Sequence, residues 1–469
     1  MVRTRIAPSP TGNDLHIGSL YTALINYAFA KKHGGKFIVR IEDTDRERFV
    51  EGAEEKFIST LEQFGLVSDE NPIDGGPHGP YRQSERLQIY KTYVQRLIQN
   101  KTAYYCTCTK ERLEEMRNIQ IKSKQIPRYD KHCIQHQDEI LRQIQSECVS
   151  YVIRLNVPEN QDITFRDEIR GDITINTNQI DDQVLLKSDG FPTYHLAVVI
   201  DDHLMGITHI IRAEEWINST PKHILLYKAF GFSLPHIAHV PLLRNPDKSK
   251  LSKRKNPVFA SWYLSEGYLP EAMLNFLALM GWSHPEEKEI FDINEFIKVV
   301  DFKDFKPVGP AFDVVKLTWM NGEYIRKMSN EELVTIISNF FNGIYSIDVL
   351  NSTVPLIKER IKKLIEYKTL CECFYKEPDS YEISLGDQKE LLDVIYSSLK
   401  VLEKWDIETI GMSMADLAKK YDIKNSEFFM ILRVVITGKK ISPPLNDTMV
   451  VLGKDTCLLR IENALHSLI

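Results

Sequence analysis

The sequence predicts an α/β protein with a parallel sheet in its N-terminal part and a C-terminal part that is all helix. Three observations carry this. Strand-like and helical segments alternate through the first hundred residues. The texture changes between about residues 101 and 182. Beyond about residue 329, alternating β-branched stretches are scarce.

Taken in order, residues 2–7 and 37–41 are short runs rich in β-branched and aromatic side chains, as strands are. Residues 20–32 and 53–64 carry apolar positions at helical spacing. Strand, helix, strand, helix is how a parallel α/β sheet begins. A glycine- and proline-rich loop at 74–80 precedes a helix running to residue 98. Residues 101–182 mix charges and turns with short strands at 151–155 and 173–176, the texture of an inserted module. Apolar runs return near residue 184, with Val198-Val199-Ile200 and His209-Ile210-Ile211 expected as central strands. The remainder, 329–469, is long enough for one or two helical bundles.

At 469 residues the chain exceeds one compact core, so two to four domains are expected. Apolar and charged fractions of 43% and 26% are those of an ordinary soluble protein. No apolar run reaches the ~18 residues of a membrane span, and no signal-peptide core follows Met-Val-Arg-Thr-Arg-Ile, so no membrane partner and a cytoplasmic location are expected. Seven cysteines, an odd number in a large chain, suggest reduced thiols. A net charge of −6 gives no global sign of nucleic acid, yet local patches carry phosphate binding. Lys358, Arg360, Lys362, Lys363 and Lys368 form one such stretch, read on a helix either as an RNA-facing patch or as a solvated face.

Two motifs suggest chemistry on a polyphosphate. In Lys250-Leu251-Ser252-Lys253-Arg254, two lysines flank a serine behind the turn-forming Asn245-Pro246-Asp247. His16-Ile17-Gly18 closes a Pro/Gly-rich loop that opens an apolar helix, whose N-terminus offers N–H groups and a positive dipole end. No G-x-G-x-x-G follows the first strand, which excludes a dinucleotide oxidoreductase.

These motifs, in this order, resemble the two signature elements of class I aminoacyl-tRNA synthetases. Thr4-Arg5-Ile6-Ala7-Pro8-Ser9-Pro10-Thr11-Gly12, Arg40-Ile41-Glu42-Asp43-Thr44-Asp45, Gly79-Pro80-Tyr81-Arg82-Gln83-Ser84, Pro192-Thr193-Tyr194-His195, Ile211-Arg212-Ala213-Glu214-Glu215-Trp216 and Trp319-Met320-Asn321-Gly322 narrow the resemblance to bacterial glutamyl-tRNA synthetases. It covers nearly the whole chain and is weakest beyond residue 330. It implies a Rossmann-type catalytic domain at 1–100 and 183–245 and an acceptor-end module at 101–182. A linking domain with the lysine loop would follow at 246–328, then a helical anticodon-binding region at 329–469. It implies a monomer that joins glutamate to ATP, releasing pyrophosphate, and transfers it to tRNA(Glu), with tRNA(Gln) a second candidate.

Residue by residue, the resemblance gives His16, Lys250 and Lys253 catalytic roles. It gives Pro8, Gly12, His16, Gly18, Ser252 and Lys253 to ATP, accompanied by Mg²⁺. Arg5, Ser9, Glu42, Tyr194 and Arg212 are given to glutamate, with arginines suited to carboxylates and Glu42 to the ammonium. Activation needs no protein base, since the substrate carboxylate is already nucleophilic; positioning and charge neutralisation remain.

Cys106-Thr107-Cys108 with Cys133 resembles a zinc knuckle found in some members. The family's fourth ligand position holds Gln135, so His136, beside it, is the candidate donor, with His132 another; zinc-bound and metal-free knuckles both stay open. Other departures are a loop before His16 one residue longer than in many members, Ser19 where a second histidine is frequent, and Tyr21 where arginine is usual. The rival readings are a glutamyl-queuosine tRNA synthetase, which lacks the helical tail; a glutaminyl-tRNA synthetase, whose anticodon part is β-rich; and a silent RNA-binding paralogue, which would lose His16 or the lysine loop.

Overall fold

The computed structural model describes residues 1–247, 249, 251 and 257–467. Two compact units emerge: one of residues 1–263 and 273–313, the other of 264–272 and 314–469.

The first unit begins with strand β1 (Arg3–Ile6), helix Ile17–Lys32 and strand β2 (Lys36–Val39). β1 and β2 pair in parallel, Arg3 opposite Lys36 and Ile6 opposite Val39. The helix starts where the His16 side chain accepts from the Gly18 N–H, satisfying one of the donors that a helix N-terminus leaves unpaired. It is apolar almost all round, and its buried Asn26 amide donates to the Ile211 carbonyl (3.1 Å), which ties it to the sheet. Tyr21, on the same helix, is buried and donates to the Met280 carbonyl, so it serves packing.

Strands β3 (Ala103–Cys106), β4 (Val152–Leu155) and β7 (Val184–Leu186) form an antiparallel three-stranded sheet. Strands β5 (Asp162–Asp167) and β6 (Gly171–Asn176) form a hairpin, and β5 joins β9 (His236–Val240), itself parallel to β8 (His209–Ala213). The Thr208 N–H donates to the Arg3 carbonyl (3.0 Å), setting the start of β8 beside β1. The hairpin lies within the stretch expected to be an insertion, yet its end residue Asp167 sits against the parallel strands.

One expectation fails here. Val198-Val199-Ile200 is not a strand but part of helix Tyr194–Leu204, buried against helices Leu87–Gln99 and Thr220–Phe230. A short apolar run reads alike for a buried strand and a buried helix; here the helix continues through Asp201 and Asp202, whose carboxylates are buried and paired.

Among its described residues the second unit holds helices joined by turns and no strand. Helix Asn330–Phe340 opens with a capping box between Ser329 and Glu332, each side chain bonded to the other's backbone N–H. Two apolar clusters form its core. One gathers Ile325, Leu333, Ile337, Leu350, Val354 and Cys371; the other Leu392, Ile395, Met414, Leu432, Met449 and Ile461. The basic stretch is not one helical face. Helix Ile347–Ile357, with Pro355 inside it, stops before Lys358, and residues 358–365 are turns and bends. Lys358 donates to the Met328 carbonyl, Arg360 to that of Ser442 (3.2 Å), and Lys363 pairs with Glu266.

Candidate active site

Local rules bring the motif residues to one place. β1 ends at Ile6, the loop after it returns to the start of helix Ile17–Lys32, and β8 ends beside both. Arg5, Pro8, His16, Gly18, Glu42, Tyr194 and Arg212 thereby line a single cavity of about 330 Å³, with Glu215, Trp216 and Leu251 on its wall. Ser9 and Gly12 do not line it, and Ser9 is exposed. Lys250, Ser252 and Lys253 lie outside the described residues.

His16 Nδ1 accepts from the Gly18 N–H at 3.0 Å, so the neutral ring carries its proton on Nε2. A Cβ at Gly18 would lie 3.3 Å from that Nδ1, so a side chain there would press on the His16 ring.

Beneath the cavity lies a buried charge network. Arg5 gives Nε and Nη2 to Asp202 (3.0 and 3.1 Å), and Arg40 gives Nη1 to the same carboxylate (2.7 Å). The neighbouring Asp201 accepts from Gln83, Arg86 and Tyr90 (2.8–2.9 Å). Despite burial, the two arginines hold the Asp202 carboxyl below its ordinary range. Glu42 lies 3.4 Å from Arg40 Nη2; there burial outweighs the arginines and raises its carboxyl from 4.5 to about 7. Three carboxylates facing Arg5, Arg40 and Arg86 balance only when Glu42 is ionised.

Arg212, at the end of β8, is buried. Its guanidinium donates to His239 Nε2, Tyr194 Oη and His223 Nδ1 (each 3.1 Å), to Thr220 Oγ1 (2.8 Å) and to the Trp216 carbonyl (3.4 Å). Tyr194 also packs on Trp216, their rings 4.4 Å apart. A substrate carboxylate reaching Arg212 would replace its longer contacts.

The cysteines also converge. Cys106, Cys108 and Cys133 Sγ atoms lie within 4.8 Å of one another. His136 lines a neighbouring cavity with Cys108 and Cys133 but is not in that cluster, contrary to its expected role. The group that does reach the sulfurs is the Tyr129 hydroxyl, 3.2 Å from Cys108 Sγ and 3.6 Å from Cys106 Sγ.

Sequence reasoning missed Asp201, Asp202, His223, His239 and Asp167. Adjacent acids inside an apolar run were a signal, because buried carboxylates require cations. The histidines gave none, since their partners come from elements far apart in the chain.

Comparison with known proteins follows the same lines. Residues 1–319 match the family model described as tRNA synthetases class I (E and Q), catalytic domain, and residues 315–465 match that of an anticodon binding domain. The chain is 45% identical to a glutamate–tRNA ligase of Acidothermus cellulolyticus, with 99% of this chain and 95% of the relative covered. It is 44% identical to one of Dehalococcoides mccartyi, with 100% and 98% covered. Among solved structures, a glutamate tRNA ligase from Elizabethkingia meningosepticum in complex with its amino acid superposes with a TM-score of 0.88 at 36% identity, over 100% of both chains.

Proposed function

The chain belongs to the glutamate–tRNA ligase family of class I synthetases, and on that premise we propose that it activates glutamate with ATP and loads it onto tRNA(Glu). One observation carries the reading: a single cavity gathers Arg5, Arg212, the Glu42 carboxylate and the His16 helix start, with Glu215 on its wall. Glutamate has two carboxylates and an ammonium, and this set complements all three.

In this reading the α-carboxylate oxygen of glutamate attacks the α-phosphorus of ATP, and the bond to pyrophosphate breaks. The 3′-terminal hydroxyl of the tRNA then attacks the activated carbonyl, and AMP leaves. Arg5 and Arg212 orient the carboxylates, Glu42 takes the ammonium, and Tyr194 closes the pocket beside Trp216. His16 donates from Nε2 to phosphate oxygens, with Pro8 and Gly18 allowing close approach. Lys250 and Lys253 follow the charge onto pyrophosphate, and Ser252 and Gly12 complete the nucleotide contacts. Mg²⁺ would accompany ATP and help to neutralise its phosphates. Ser9 is kept as a rim contact with glutamate.

The proposed division is catalytic at 1–100 and 183–245, acceptor-end at 101–182, linking at 246–328 and anticodon-binding at 329–469. The two family matches support its broad order. We read the protein as a cytoplasmic monomer; no helix among the described residues is long and apolar enough to cross a membrane.

The test is pyrophosphate exchange with glutamate in the presence of tRNA(Glu), followed by charging of purified tRNA(Glu) and tRNA(Gln). Exchange with glutamate and charging of tRNA(Glu) are expected, and charging of neither tRNA would refute the reading. Charging of both would mark a non-discriminating enzyme.

Zinc belongs to the same reading. Three convergent thiols fit Zn²⁺, and the Tyr129 oxygen, 3.2 Å from Cys108 Sγ, competes with His136 for the fourth position. Bound there, the ion would cross-link β3 to the segment carrying Cys133, a structural task. Protein purified without chelator should hold one zinc per chain, lost in Cys108→Ser. Retention in His136→Ala with loss in Tyr129→Phe would fix the fourth donor.

A further inference from the structure

A guanidinium has five N–H donors and no acceptor. Around Arg212 each donor meets a neutral group: two imidazole nitrogens, a phenol, a hydroxyl and a carbonyl. Among the described residues no carboxylate lies within ion-pair distance of it. Arg5, by contrast, is paired directly with Asp202.

Because Arg212 can only donate, each ring nitrogen facing it is unprotonated. This sets the tautomers. His239 carries its proton on Nδ1 and gives it to Asp167 Oδ2, 2.6 Å away. His223 carries its proton on Nε2 and gives it to His195 Nδ1 at 3.1 Å, leaving His195 protonated on Nε2. Burial lowers all three imidazoles, His195 to about 3, so the rings stay neutral. Asp167 is fully buried and also accepts from the Ile169, Arg170 and His239 N–H groups (3.0–3.1 Å). Its charge acts on Arg212 only across the width of an imidazole.

We infer that His223, His239 and Asp167 are positioning residues that fix the Arg212 guanidinium without cancelling its charge, and that this neutral cradle selects an anionic over an uncharged amino-acid side chain. The inference rests on the glutamate reading above. A carboxylate in the cradle would hold Arg212 as firmly but would answer its charge internally. With neutral acceptors, that charge is left for the substrate. Glutamate's side chain brings the missing anion; glutamine, of the same shape, brings none, so the discrimination is electrostatic.

Two nearly isosteric substitutions separate holding from charge. His223→Asn sets an amide oxygen near the place of Nδ1, and His223→Asp sets a carboxylate oxygen there. Pyrophosphate exchange with glutamate and with glutamine, tRNA(Glu) present, is measured on the full-length proteins, with thermal melting and ATP binding as controls of folding. His223→Asn should keep kcat/KM for glutamate within about 5-fold and keep the preference over glutamine, since a charge-free acceptor is retained. His223→Asp should raise KM for glutamate, leave KM for ATP unchanged and cut the preference by ~100-fold. An unchanged preference in His223→Asp overturns the inference, as does equal damage from the two substitutions. Should the His223 variants not fold, His239→Gln and His239→Leu replace them. Gln keeps an acceptor for Arg212 and should hold KM for glutamate below that of Leu; equal values overturn the positioning role. Wild-type protein that uses neither amino acid would instead refute the underlying substrate reading.

Discussion

Replacing Glu42 with glutamine should make the protein more stable and less active, and the gain in stability should depend on pH. Burial raises the Glu42 carboxyl from 4.5 to about 7, although Arg40 and Arg5 pull it down. At about 1.4 kcal/mol per pH unit of separation, ionising this group in the folded protein opposes folding by ~3 kcal/mol. The sign follows from proton counting. Between pH 4.5 and 7 the folded state holds a proton that the unfolded chain has released, so stability falls as pH rises through that window. Below it the wild-type residue is protonated and differs little from glutamine; above it the full difference is present. Melts of both proteins at pH 5, 6, 7 and 8 should therefore diverge, with Glu42→Gln ahead by ~3 kcal/mol at pH 8 and by little at pH 5. Saturating glutamate should shrink the gap, because its ammonium rewards the ionised carboxylate. KM for glutamate should rise by about 10²-fold in the variant, the worth of one charge-assisted contact. A stability difference that is the same at every pH would refute the reasoning.

Arg212→Ala should lower kcat/KM for glutamate by ~10³-fold and leave the Kd for ATP nearly unchanged, because a carboxylate loses its partner and the buried acceptors His223, His239 and Thr220 lose their donor; collapse of ATP affinity alone would move Arg212 to the nucleotide site. Lys253→Ala should lower kcat on the order of 10²-fold with little change in substrate affinity, since its charge matters as pyrophosphate leaves; near-normal single-turnover activation would remove it from the mechanism. Asp202→Asn should destabilise the first unit by about 3–5 kcal/mol, because Arg5 would be left as a buried cation and Arg40 would keep only its longer contacts to Glu42 and Asp201; a change below 1 kcal/mol in urea melts would show that the network relaxes.

Much of the fold was legible because the first hundred residues alternate in period, as β1, helix Ile17–Lys32 and β2 do. The failures have physical causes. Val198 to Ile200 are apolar and β-branched, yet tertiary burial decides between strand and helix for so short a run. The basic residues beyond 357 were read on a helix, but the chain turns after Ile357, and Lys358 and Arg360 each meet an internal carbonyl. In the cavity, Arg5, Glu42, Tyr194 and Arg212 were legible through motifs. Their supporting groups were not, because His239 comes from β9, Asp167 from β5 and His223 from helix Thr220–Phe230. Only folding joins them.

Asp201 and Asp202 are consecutive, and their carboxylates share Arg40 before they part: Asp202 holds both arginines under the cavity, while Asp201, 3.7 Å from Arg40 Nε, holds chiefly the segment from Gln83 to Tyr90. For protein engineering this is a constraint. A redesign that swaps Arg5 to admit a different amino acid removes two of the three hydrogen bonds that Asp202 accepts from the arginines and unsettles a helical turn whose other side anchors Arg86. Libraries confined to the cavity wall would therefore return mostly poorly folded proteins. Varying Arg5 and Arg40 together with Gln83 and Arg86 treats the two acids as one design unit, and gives new specificities a backbone on which to stand.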